Sequence, residues 1–77
     1  MDAACTIDAR WLSCPLPVLK ARKRLAALAV GERLVLLATD PATERDVPAF
    51  CTETGHRLVG LEKCDDGVIR FLVEKGS

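Results

Sequence analysis

Leu34-Val35-Leu36-Leu37-Ala38 is an unbroken apolar run. It is too short for a buried helix, and it sits between Gly31 and the turn residues Asp40-Pro41. Such a run reads as a strand with little solvent contact, so the chain must place other elements around it. The remaining pattern supplies them. Cys5 to Asp8 alternates as a short first strand. Pro15 to about Ala29 is helical, with Val18, Ala21, Leu25, Leu28 and Ala29 on one face and Lys20, Lys23 and Arg24 opposite. Gly31 is the expected stop.

Past Asp40-Pro41 a second helix runs to about Thr54, with Gly55 as its stop. Pro48 cannot sit deep in a helix, which suggests that Asp46 caps a helix starting near Val47. His56 to Glu62 reads as a third strand, Asp65-Asp66-Gly67 as a hairpin turn, and Val68 to Glu74 as a fourth strand. The order βαβαββ implies two right-handed crossovers, with both helices on one face of the sheet. The fourth strand is richer in β-branched residues than the third, which carries Gly60 and several charges. The expected fold is therefore an α/β (α+β) two-layer sandwich with a four-stranded mixed sheet in the order 1-2-4-3. The second face of that sheet is left either solvated or as a docking surface.

With 77 residues there is one domain, spanning the whole chain. A domain of this size buries only about 60% of its unfolded surface and has no room for a deep substrate cleft. A carrier or binding module fits better than a large catalytic apparatus. Eleven basic residues balance eleven acidic ones, so no net field favours nucleic acid or a membrane surface. No segment approaches the ~20 apolar residues of a membrane span. The start, Met1-Asp2-Ala3-Ala4-Cys5, lacks a basic and an apolar region, so a cytoplasmic protein is expected. Cys5, Cys14, Cys51 and Cys64 show no C-x-x-C spacing and accompany a single His, so neither a metal site nor a thioredoxin-type pair is expected.

Cys14-Pro15-Leu16-Pro17 opens the first helix. Proline favours the first helical position, which makes Cys14 the expected N-cap. Pro15 and Pro17 have no N–H, leaving the amides of Leu16 and Val18 free to face Cys14. With the helix dipole they favour an anion there, a thiolate or a persulfide, and helix N-termini lower cysteine pKa values. Capping alone would ordinarily use Ser, Thr, Asp or Asn. Cys14 is thus the candidate reactive thiol, with Pro15 and Pro17 supporting it.

At these residues the sequence resembles the TusA (SirA-like) family of small sulfur carriers. Leu12 to Val18 is similar to its C-P-x-P signature, Asp40 to Cys51 to its second signature, and Gly55-His56-Arg57-Leu58 follows in register. The resemblance runs from Ile7 to about Lys75. It implies a sulfurtransferase-type carrier in which Cys14 accepts sulfane sulfur as a persulfide, with no other cofactor. A cysteine desulfurase or a rhodanese would be the donor, and a partner protein's cysteine the acceptor. It implies service in tRNA thiolation, molybdenum cofactor synthesis or sulfur oxidation. Two departures flank the cysteine: Leu16 stands where many thiolation members have Glu, and Trp11 where the family usually has Gly. Both make the surroundings more apolar.

Other residues divide between structure and docking. Trp11, Leu16, Arg22, Asp40, Arg45 and Asp46 are docking candidates on a monomer. Trp11 is first a lid over the core edge, Asp40 a turn former, and Arg45 with Asp46 an ion pair bracing the second helix. Cys51, beside Phe50, reads as core, and Cys5 as packed on the face of Ile7. Cys64 reads as exposed, and His56 as structural. Two competing functions remain open: a regulatory binding module that does not use Cys14, and a redox sensor pairing Cys14 with another thiol.

Overall fold

The computed structural model describes residues 3–76; Met1, Asp2 and Ser77 lie outside the described residues. The elements are β1 (Cys5–Ala9), α1 (Leu16–Ala26), β2 (Arg33–Ala38), α2 (Thr43–Thr54), β3 (Arg57–Lys63) and β4 (Ile69–Glu74). The sheet order is β1-β2-β4-β3. β1 runs parallel to β2, with Ile7 opposite Leu36, while β4 runs antiparallel to both β2 and β3. The expected two-layer fold and strand order are therefore present.

Composition explains the placement of the strands. β2 is apolar after its first residue, and Leu34, Val35, Leu36 and Ala38 are all buried. β4 alternates: Ile69, Phe71 and Val73 point into the core, while Arg70, Leu72 and Glu74 are half-buried on the other face. β3 is exposed over much of its length and carries an irregularity between Leu58 and Gly60, as suits an edge strand. Ala21 and Leu25 from α1 and Val47, Phe50 and Cys51 from α2 join the inward strand residues in one core. Both helices thus cover the same face of the sheet. On the other face, Val35, Leu37 and Leu72 lie among the ion pairs Arg33–Glu74 (3.0 Å) and Arg70–Glu62 (3.5 Å).

Three local expectations change. Pro15, not Cys14, occupies the N-cap position of α1, because Leu19 N–H donates to the Pro15 carbonyl at 3.0 Å. α1 ends at Ala26 rather than Ala29. Ala27 and Leu28 bond back only three residues, to Arg24 and Leu25, which tightens the last turn, and Ala29 is exposed. α2 begins at Thr43, four residues before the expected start, and Pro48 lies inside it. The start is fixed by Asp40, whose Oδ1 accepts the Ala42 N–H at 3.0 Å and whose carbonyl accepts both the Thr43 N–H at 3.0 Å and its hydroxyl at 2.6 Å. Pro48 removes only the donor that would have met Glu44.

The ends of the described chain are tied at one end of the sheet. Ala4 N–H donates to Arg33, Lys75 N–H to Glu32, and Gly31 N–H to Lys75. His56 Nδ1 accepts the Gly76 N–H at 3.2 Å, the structural role expected of it. Burial, with the charge of Lys75, holds its pKa below 6.5. The neutral imidazole is thus the form that fits the fold. Its contribution is complete above the unfolded-state pKa and is lost as pH falls through the folded one. A ring-proton titration of His56 by NMR should show a midpoint below 6.5 in the folded chain; a midpoint at or above that value contradicts the assignment.

Candidate functional site

β1 and β2 are parallel, so the loops leaving their carboxyl ends emerge side by side. The loop after β1 carries Trp11 to Pro15, and the loop after β2 carries Thr39 to Ala42. Trp11 N–H donates to Thr39 Oγ1 at 2.9 Å, and Cys14 N–H donates to Asp40 Oδ2 at 2.7 Å. Asp40 therefore uses one carboxylate oxygen to start α2 and the other to hold the backbone of Cys14. Both bonds keep its carboxyl below the usual range.

The Cys14 thiol is half-buried and donates a short hydrogen bond to Asp46 Oδ2. Asp46 projects from the first turn of α2, which is why the early beginning of that helix matters. Asp46 also pairs with Arg45 at 3.3 Å, as expected, although Arg45 is 82% exposed. Donation from Cys14, then Arg45, lowers the Asp46 pKa. The same contact moves the thiol the other way. The bond to Asp46, followed by burial and the charges of Asp46 and Asp40, raises the Cys14 pKa, and Arg45 offsets part of this.

This corrects the expectation of a thiolate favoured by two free amides. The Leu16 amide is not free: it donates to the Ser13 carbonyl at 3.0 Å. The nearest full charges are two carboxylates. At neutral pH Cys14 is a thiol held by an anion, and Asp46 is the proton acceptor beside it. The Cys14–Pro15 peptide bond is cis.

Beside the thiol a groove of about 330 Å3 runs between the helices, lined by Cys14, Pro15, Val18 and Arg22 on one side and by Asp46, Ala49, Phe50, Glu53 and Thr54 on the other. Val18 and Arg22 lie one turn apart on α1 and face it. A second concavity of about 330 Å3 shares Arg22, Phe50 and Thr54 and extends to His56 and Lys75. A basic hollow formed by Lys20, Lys23 and Arg24 with Ile7 and Ala27 does not include Cys14.

The other expected residues are placed as follows. Pro17 is buried on the inner face of α1, while Leu16 is 46% exposed beside the cysteine. Trp11 is not a lid: it is 80% exposed, and its φ of 69° lies in the left-handed region. That region favours glycine, the residue usual in the similar family. Cys51 is sealed in the core, where burial raises its pKa; Cys5 is half-buried against the core, and Cys64 is exposed. All four thiols are free. Among the described residues no group of three or more His, Cys, Asp or Glu could hold a metal ion, and no helix is long and apolar enough to cross a membrane.

Sequence reading missed two things here. Thr39 anchors the Trp11 turn, and its only signal is a hydroxyl residue just before Asp40-Pro41. The sequence marks Asp40 and Asp46 only as turn, brace and docking residues, whereas both bond to Cys14 itself.

Known proteins match this chain over most of its length. A family profile described as sulfurtransferase TusA matches residues 5–75. The chain belongs to the TusA sulfurtransferase family. Its fold is also similar to the crystal structure of a SirA-like protein from Desulfitobacterium hafniense, with a TM-score of 0.84 and 28% identity, covering 95% of this chain and 99% of that one. TusA-family membership assigns the chain, in general terms, to sulfur carriers and sulfurtransferases.

Proposed function

We propose that this TusA-family chain carries sulfane sulfur as a persulfide on Cys14. It takes the sulfur from a donor protein, a cysteine desulfurase or a rhodanese, and passes it to a cysteine of an acceptor protein. The supporting observation is the Cys14 thiol itself: partly open to solvent at the head of the inter-helix groove, hydrogen-bonded to Asp46, and fixed through its backbone to Asp40. Sulfur transfer by attack of one sulfur on another needs access and a nucleophile, not a deep cleft. The surface around the thiol is where donor and acceptor would dock. It presents Trp11 and Leu16 as apolar groups and Arg22 and Arg45 as cations. Such a carrier serves tRNA thiolation, cofactor synthesis or sulfur oxidation in the cytoplasm, acting as a monomer between partners.

Incubation with a cysteine desulfurase and cysteine, followed by intact-mass measurement without reductant, tests the proposal. The wild-type chain should gain one sulfur atom, removable by dithiothreitol, and the gain should map to the Cys14 peptide. No gain, or an equal gain on Cys14→Ser, refutes it.

A further inference from the structure

Asp46 has more to do than stabilise α2. Its carboxylate touches the Cys14 sulfur, and its pairing with Arg45 and its bond from the thiol keep it ionised at neutral pH. A thiol held protonated by an anion is a poor nucleophile unless the proton leaves as the sulfur attacks, and the contacting anion is the group placed to receive it. Asp40 cannot take this part, because its two oxygens accept the backbone N–H groups of Cys14 and Ala42. The remaining charged groups lining the groove, Arg22 and Glu53, form no hydrogen bond or ion pair with Cys14 among the described residues.

We propose that Asp46 is a catalytic residue that relays the Cys14 proton during sulfur transfer. This rests on the persulfide reading above. In loading, the Cys14 proton moves to Asp46 while the Cys14 sulfur attacks the outer sulfur of a donor persulfide, R–S–SH. A Cys14–sulfur bond forms, the S–S bond of the donor breaks, and the donor leaves as R–S⁻. Asp46 returns the proton to that thiolate. The balance is Cys14–SH + R–S–SH giving Cys14–S–SH + R–SH, with no net oxidation. In unloading the acceptor thiol's proton moves to Asp46 while its sulfur attacks the outer sulfur of Cys14–S–SH; the S–S bond breaks, and Asp46 returns the proton to the departing Cys14 sulfur, giving Cys14–SH and the acceptor's S–SH.

The relay separates two rates that a merely structural Asp46 would leave linked. In Asp46→Asn the anion that holds the proton is gone, so the Cys14 pKa falls, and each unit of fall gives about tenfold more thiolate below it. Iodoacetamide alkylation at pH 7, read on the Cys14 peptide, should therefore become several-fold faster, with its pH midpoint moved down. Loading from glutathione persulfide, which needs no protein interface, should become slower by roughly a hundredfold, the usual scale of a lost acid–base group. Asp46→Glu, which keeps a carboxylate, should recover much of the loading rate. If Asp46→Asn loads as fast as wild type or faster, in step with its alkylation, the relay is wrong while persulfide chemistry stands. If Asp46→Asn and Asp46→Glu lose loading equally, Asp46 is structural and the relay is again wrong. If wild type takes no sulfur, both readings fall together.

Discussion

Phe71→Ala is expected to remove a large share of the chain's stability. Phe71 is fully buried in β4, between Leu36 of β2 and Leu61 of β3 in register, and belongs to the core that both helices cover. Truncating a buried Phe to Ala costs about 3–5 kcal/mol, since the lost contacts are only partly recovered by collapse. A 77-residue domain has a total stability of roughly 4–12 kcal/mol, at 0.05–0.15 kcal/mol per residue. One side chain thus accounts for about a quarter or more of the margin. For a domain of this size each kcal/mol shifts Tm by about 4–8 °C, so a drop of at least ~12 °C should be seen by circular dichroism. Leu61→Ala, on the edge strand and 40% exposed, is the control, with an effect within about 0.5 kcal/mol. Similar losses at both positions would contradict the division between inner and edge strands.

The second large effect is a contrast between two cysteines. Cys14→Ser should abolish sulfur loading and leave Tm nearly unchanged, because a serine hydroxyl can still donate to Asp46 and the half-buried position tolerates it. Cys51→Ser should do the reverse. It places a hydroxyl in the core beside Phe50 and Val47 and should lower stability by about 1–3 kcal/mol while loading proceeds on Cys14. Thermal melts and intact masses of the two variants check both halves. Loading that disappears in Cys51→Ser while the fold is retained would show that a second thiol takes part in the chemistry.

These outcomes bear on how much the sequence discloses. The strand order followed from the unbroken run at Leu34 to Ala38 and from the different make-up of β3 and β4, because burial on two faces, on one, or at an edge demands different residues. Trp11's outward turn did not follow, because a positive φ on a bulky residue has no local signature. Pro48, a helix breaker by local rules, points to a later start for α2 than the one observed. The Asp40 turn that begins the helix upstream, together with the single bond that Pro48 removes, overrides that weight. The error carried into the site. With α2 starting at Val47, Asp46 is a cap; with α2 starting at Thr43, it is a helix residue aimed at the thiol. Its contact with Cys14 spans 32 residues, and no spacing rule reaches that far. Local reasoning saw the helix dipole and proposed a thiolate. The tertiary fold supplied two carboxylates, and they reverse the sign.

The tying of both described chain ends beside Gly31 to Arg33 has a practical meaning. Cys14 lies past the opposite ends of β1 and β2, about one strand length away. An anchor, an affinity handle or a second module fused at either end would project from the blunt end of the domain and leave the thiol unobstructed. Copies strung in tandem would keep every sulfur-bearing end exposed, each able to exchange with its own visitor.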